Sequence, residues 1–257
     1  MVKRFFIGQS YRARIMREKW GDGQNATFKY KEILAKHVKP GMRILQAGCG
    51  WDKNNVTRPY KEICDVVGID LDPRVEAKYH SKFILGSISK MPIENESFDI
   101  ITSEYVMEHI EEPAAAFREM ARVLRPGGWL FLLTPNLYSY KGLIAHLTPY
   151  KFHIKMGRLR DGKGYEADVY PTFYRCNTAS NLSKMALANG FCKINIRFIT
   201  NGPTWFEKLP ILFEVFHLFH LVIARWEGAR QLRCALILEA QKKNSEQRRS
   251  GLNLGYF

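Results

Sequence analysis

No stretch of the 257-residue chain is apolar for the roughly 20 residues that a transmembrane helix needs. The nearest candidate, 209–226, is broken by Glu214, His217, His220 and Arg225 and is not expected to span. The basic, apolar start at 2–7 is too short for a signal peptide. Paired cysteines are missing as well. Cys49, Cys64, Cys176, Cys192 and Cys234 include no Cys-x-x-Cys spacing, so neither a disulfide framework nor a zinc knuckle is indicated. A reducing, cytoplasmic compartment is the expectation. Internal repeats and low-complexity blocks are absent, which excludes solenoids. Acidic residues are in the minority, 25 against 39 basic, for a formal charge of +14. That balance suits anionic partners such as nucleic acid, lipid head groups or phosphorylated substrates, and equally a soluble basic surface.

What is present is a globular composition, 46% hydrophobic, enough for the core of one α/β domain. Apolar residues at helical spacing over 28–38 stop at Pro40-Gly41, a helix with a breaker after it. The run 43–47 ends in Gly48-Cys49-Gly50 and reads as a buried strand turning sharply into a loop. Further strands are expected at 65–70, 82–85, 98–103 and 129–134, and a helix at 113–124 stopped by Pro126-Gly127-Gly128. After an irregular 136–176 the pattern predicts a helix over 178–189 and two late strands, 192–200 and 234–240. Strands alternating with helices give an α/β, Rossmann-like, seven-stranded, mostly parallel sheet flanked by helices. The expected organisation is a single domain over 1–243 with cap insertions at 136–175 and 201–231. A polar, flexible tail follows at 244–257.

The chemistry concentrates after the early strands. Glycine lets the Gly48-Cys49-Gly50 turn approach a ligand without a Cβ in the way. Asp70, ending the second strand, offers a carboxylate that can accept both hydroxyl protons of an adenosine ribose. Dinucleotide-binding folds share this much, but Lys53 stands where their third glycine would be. Two further segments are more specific. Met91-Pro92-Ile93 leads through Ser97-Phe98-Asp99 to Glu108-His109, and Leu124-Arg125-Pro126-Gly127-Gly128 precedes an apolar strand. With these in this order, over roughly 28–136 and on to about 240, the chain resembles the class I S-adenosylmethionine-dependent methyltransferases. A looser likeness, through 170–178 and Gly190-Phe191, is to bacterial methyltransferases of glycan and lipid assembly.

The resemblance implies S-adenosylmethionine as cofactor. Gly48 and Gly50 would carry its methionine part, Asp70 the ribose hydroxyls and Leu71 the adenine face. Ser87 stands where the family usually has an acid for the adenine amino group, with Ile88 offering its backbone amide. Glu104 and Tyr105 would flank the methionine end. Gln46 also stands where an acid is common, and Asp52 in place of a third glycine. A neutral bond from Gln46 is roughly half as strong as a charge-assisted one.

Methyl transfer from a sulfonium needs alignment and exclusion of water, and a hydroxyl acceptor adds the need for a general base. His109, in the Glu-His position, and His153, in the segment after the fifth strand, are the catalytic candidates, with Asp168 and Tyr170 behind them. Some relatives hold a metal through Glu-x-x-Glu-His, but here Tyr105 stands three before Glu108, so no catalytic metal is expected. The expected acceptor is a hydroxyl of a small-molecule, saccharide or lipid-linked compound. An RNA methyltransferase or a non-catalytic cofactor- or partner-binding module is the alternative, nucleic acid being disfavoured. The apolar positions Ile211, Leu212, Val215, Phe216, Leu218, Phe219, Val222, Ile223 and Trp226 form one helical stripe. Its expected uses are cap or homodimer packing, or peripheral contact with an anionic membrane.

Overall fold

The computed structural model describes residues 11–16, 18–19, 25–51, 54, 56–75, 80–148, 170–203, 206, 209–244 and 247. Its frame is a seven-stranded sheet formed by β1 (Arg43–Ala47), β2 (Asp65–Asp70), β3 (Lys82–Leu85), β4 (Phe98–Glu104), β5 (Leu124–Pro135), β6 (Phe191–Ile199) and β7 (Ala235–Lys242). The strand order is β3-β2-β1-β4-β5-β7-β6. The first five strands run parallel, whereas β7 lies antiparallel to both β5 and β6. The chain winds outward from β1 through β2 to β3, then crosses back to β4 beside β1. The switch point between β1 and β4 is where open α/β sheets leave a crevice at their carboxyl ends.

Alternation along the strands buries both faces. Ile44, Val66, Ile100, Phe131 and Leu133 pack on one side with Tyr30 and Leu34 of α1 (Ala26–Ala35). Leu45, Val67, Ile101, Leu130 and Leu132 pack on the other with α2 (Pro113–Val123) and α4 (Ala179–Ala188). In α2, Pro113 starts the helix, and Ala116, Phe117, Met120 and Val123 recur at the spacing that buries one stripe. Asn25 caps α1 by accepting from the Phe28 N–H at 2.8 Å. The fully buried Tyr30 then docks that helix on the sheet through hydroxyl contacts to Thr102, Ser103 and Phe131.

Several expected boundaries shift for physical reasons. The Pro126-Gly127-Gly128 segment does not stop α2. The helix ends at Val123, and Leu124 is already extended and paired with Phe98. The prolyl-glycyl stretch is an irregularity inside β5, with Gly127 at φ +81°, before pairing resumes at Trp129 opposite Ile100. It lies at the amino end of the sheet, away from the crevice. Within 136–176, expected to be irregular, α3 (Tyr140–Leu147) forms behind a Ser139 cap that accepts from the Gly142 N–H. The tail expectation for 244–257 falls mostly outside the described residues. Lys242, by contrast, ends β7 and is buried.

The apolar insertion becomes α5 (Pro210–Arg225). Its single stripe is in fact two. Phe213, His220 and Ile223 face inward and are buried, and Phe216 stacks on Phe206 at 4.2 Å and lies 4.7 Å from Tyr140 of α3. Ile211, Val215, Leu218 and Val222, at the same helical period but rotated round the axis, are exposed. His220, one of the polar residues that interrupt the apolar run, is buried on the inward face. No helix among the described residues is long and apolar enough to cross a membrane.

Candidate functional site

The crevice at the β1–β4 switch point opens into a cavity of about 430 Å³. Gln46, Gly48, Gly50, Asp70, Leu71, Ser87, Ile88, Glu104 and Tyr105 all line it. So does His109. His153 and Asp168 lie outside the described residues, as do Asp52 and Lys53. The loop after β1 needs its glycines. Gly48 sits at φ +69°, and a Cβ there would run into Val106. Gly50, at φ +46°, has open space where a Cβ would stand. The Gly50 N–H donates to Asp70 Oδ2 at 2.8 Å and the Asp72 N–H to Asp70 Oδ1 at 3.0 Å. These two bonds aim the carboxylate and still leave each oxygen a lone pair for a ligand hydroxyl. Beside it Leu71 is 68% exposed, an apolar surface that a planar ring could cover.

Other predicted residues have prior commitments. The Gln46 side-chain oxygen accepts from the Thr57 hydroxyl at 2.6 Å and from His80 Nε2 at 2.8 Å, so it faces protein on that side. The Ser87 hydroxyl oxygen accepts from the Ser89 N–H at 3.1 Å. Glu104 accepts from the Thr27 hydroxyl at 2.5 Å. Tyr105 holds a left-handed backbone, φ +54°, a cost of about 1–3 kcal/mol that neighbours must offset. Its N–H donates to the Leu133 carbonyl at 2.7 Å, and its hydroxyl bonds Asn201 and Thr27. Burial pushes that phenol above its ordinary range.

His109 Nδ1 lies 2.8 Å from the Pro171 carbonyl. A carbonyl only accepts, so Nδ1 carries the proton and Nε2 keeps its lone pair. Burial lowers the imidazole's pKa below 6.5, which holds it neutral at pH 7. Glu108, adjacent in chain, is buried, and its carboxyl is raised to about 7, mostly by burial and further by the charge of Glu104. It accepts from the Thr134 hydroxyl at 3.2 Å, which in turn accepts from the Asn177 amide at 2.5 Å. At 4.0 Å from His109 Nε2 it is beyond hydrogen-bond reach.

Sequence reasoning missed the closure of the cavity. The Phe173 N–H donates to the Glu108 carbonyl at 2.7 Å, and the Tyr170 hydroxyl to Asp72 Oδ2 at 3.1 Å. Asp72 is held far below the usual carboxylate range by Arg74, whose guanidinium lies 5.7 Å from the Trp51 ring centroid. The sequence offered only a second acid, Asp72, two residues after Asp70; nothing local told that Tyr170, 98 positions on, would reach it. Also missed was a second cavity of about 340 Å³, which shares Asn54 and Tyr105 with the first. Among the described residues, no group of three or more His, Cys, Asp or Glu is placed to hold a metal ion.

Comparison with known proteins agrees with this geometry. Residues 45–132 match a family model described as a methyltransferase domain. An uncharacterized methyltransferase of Schizosaccharomyces pombe is 33% identical over 123 residues, 41% of this chain and 44% of the relative. A ubiquinone biosynthesis O-methyltransferase of Xanthomonas campestris is 32% identical over 114 residues, 40% of this chain and 47% of the relative. The chain thus spans less than half the length of either relative. Among solved structures, a Haemonchus contortus phosphoethanolamine N-methyltransferase holding S-adenosylhomocysteine superposes with a TM-score of 0.53 at 17% identity. That match covers 84% of this chain and 53% of the other. At such identity the likeness is one of fold.

Proposed function

We propose that this chain, whose residues 45–132 match a family model described as a methyltransferase domain, is a class I S-adenosylmethionine-dependent methyltransferase that transfers a methyl group from that cofactor to an acceptor hydroxyl. The observation that carries the reading is the single cavity ringed by the glycine loop, Asp70, Leu71, Ser87, Ile88, Glu104 and Tyr105. The donor set suits the cofactor. Asp70 has lone pairs for two ribose hydroxyls, Leu71 presents apolar surface for adenine and Ile88 its backbone amide, and the Gly50 backbone stands open for the methionine end. When bound, the cofactor supplies a methyl group already activated as a sulfonium.

The protein's own part is binding, alignment and handling one proton. The Tyr170–Phe173 strap, tied to Asp72 and to Glu108, lines one side of the crevice and would shield that side of a bound cofactor from water. His109, neutral with its lone pair on Nε2, would take the proton of the acceptor hydroxyl as its oxygen becomes the nucleophile. A hydroxyl acceptor, on a small molecule, saccharide or lipid-linked compound, is the reading we propose; a neutral base at His109 supports the hydroxyl, as does likeness to a relative named as an O-methyltransferase.

The test is direct. Asp70→Ala should weaken S-adenosylhomocysteine binding by on the order of 10-fold or more in calorimetry, because charge-assisted bonds to hydroxyls are lost. Unchanged affinity in a folded variant would remove the ribose assignment.

A further inference from the structure

The second cavity, about 340 Å³, lies where the first turn of α1, the loop after β1 and the segment after β6 converge. Its size falls within the range of small-molecule sites, roughly 300–1,000 Å³. It is separate from the cofactor crevice but joined to it at Tyr105 and Asn54. Its lining is unusual for a basic protein's surface. Lys31 projects into it half-buried, with no ion pair or hydrogen bond among the described residues. Among the described residues, no acidic side chain lines it. The neighbouring Lys29 is paired with Glu32 at 2.9 Å, and Glu104 next door is bonded by Thr27.

The remaining polar groups are biased toward donors. The Asn25 side-chain oxygen is used up in capping the Phe28 N–H at 2.8 Å, which leaves its NH₂ for a ligand. The Asn201 oxygen likewise accepts from the Ala26 N–H at 2.9 Å, and with the side chain also bonded to the Tyr105 hydroxyl it keeps at least one N–H for a ligand. The Asn54 amide adds a further donor, and Phe28 offers an exposed aromatic face. A half-buried ammonium without a counter-ion, several NH₂ donors, no acid and one ring face together ask for an oxygen-rich anion with an apolar side.

We propose that this cavity is the acceptor pocket, and that it selects an anionic sugar. Lys31 pairs with the sugar's phosphate or carboxylate, the amides bond its hydroxyls, and Phe28 covers the apolar face of its ring. The reacting hydroxyl extends past Tyr105 into the crevice that His109 also lines. The inference rests on the methyltransferase reading for its purpose, but its ligand chemistry can be tested without turnover.

Calorimetry on the S-adenosylhomocysteine-loaded protein with glucose 6-phosphate, glucuronate, glucose and inorganic phosphate decides it. At least one anionic sugar should bind 10-fold or more tightly than glucose. Lys31→Met should abolish that advantage and Lys31→Arg should keep most of it. Neither variant should change S-adenosylhomocysteine affinity more than about twofold. Preference for glucose 6-phosphate assigns the anion as phosphate, and preference for glucuronate as carboxylate. Neither anionic sugar exceeding glucose would overturn the proposal, and so would phosphate alone matching glucose 6-phosphate or full retention in folded Lys31→Met. Failure of S-adenosylhomocysteine to bind wild type would instead sink the cofactor assignment, and the sugar titrations on unloaded protein would still judge the pocket.

Discussion

The cofactor crevice and helix α5 break the ordinary rule of burial in opposite directions. Around the crevice, polar groups are buried: Gln46, Asp72, Glu108, Thr134 and Asn177 are all almost inaccessible. On α5, large apolar groups are exposed, Ile211 at 80% and Leu218 at 63%. Buried polar groups persist mainly where partners satisfy them: Thr57 and His80 bond Gln46, Arg74 and the Tyr170 hydroxyl bond Asp72, and Glu108, Thr134 and Asn177 bond one another in a row. Exposed apolar groups need no partner to persist, since they cost little in the folded chain alone. The first kind of departure therefore specifies a geometry, whereas the second only leaves a surface.

The sharpest way to break the comparison is to remove the imidazole that the Pro171 carbonyl orients at the crevice. His109→Ala should lower kcat by about 10²–10⁴-fold, the usual contribution of a general base, while S-adenosylhomocysteine affinity stays within twofold. Because burial lowers the imidazole's pKa, wild-type kcat should fall on acidification, as protonation removes the lone pair, with its midpoint below the 6.5 of an ordinary imidazole. A kcat unaffected by the substitution would move the base elsewhere in the site.

On the other side of the comparison, charge placed on α5 should distinguish its two faces. Phe216→Glu sets a carboxylate in the half-buried place between Phe206 and Tyr140 and should cost about 3 kcal/mol of unfolding free energy. Leu218→Glu, two residues away on the bare face, should change stability by less than about 0.5 kcal/mol. Equal effects in denaturant titrations would mean that the outward face is covered after all.

Glu108 gives the next effect in size. With its carboxyl at about 7 in the folded chain against 4.5 as the ordinary value, the fold retains a proton that the unfolded chain releases. Its stabilising contribution is complete below pH 4.5 and drains away between pH 4.5 and 7. Above pH 7 it stands as a cost of about 3 kcal/mol. Glu108→Gln, which keeps an acceptor for Thr134, should remove that slope and raise stability at pH 8. An unchanged pH dependence would show the carboxyl to be ionised and satisfied as it is.

Much of the crevice was readable along the chain because its parts are local. Gly48, Gly50 and Asp70 sit at strand ends, where a buried apolar run followed by glycine or an acid already says which way the chain turns. Ser87, Glu104, Tyr105 and His109 follow strands in the same manner. Gln46's bonds to Thr57 and His80, the Asp72–Tyr170 tie and the Lys31 pocket were not readable. Each joins segments whose meeting depends on the order of strands in the sheet and on how α1 docks through Tyr30.

By itself the sequence determined the α/β class, the number of strands, the glycine loop and the acid after β2, since these follow from apolar period and local backbone demands. Only the tertiary structure decided that β7 runs antiparallel between β5 and β6, that Pro126-Gly127-Gly128 is an irregularity in a strand, and that α3 forms and packs on α5. It alone decided which of two equally apolar faces of α5 is buried. The physical reason is that periodicity records which residues share a face, while burial depends on what lies opposite. For α5 that is Tyr140 and Phe206, brought there from other parts of the chain.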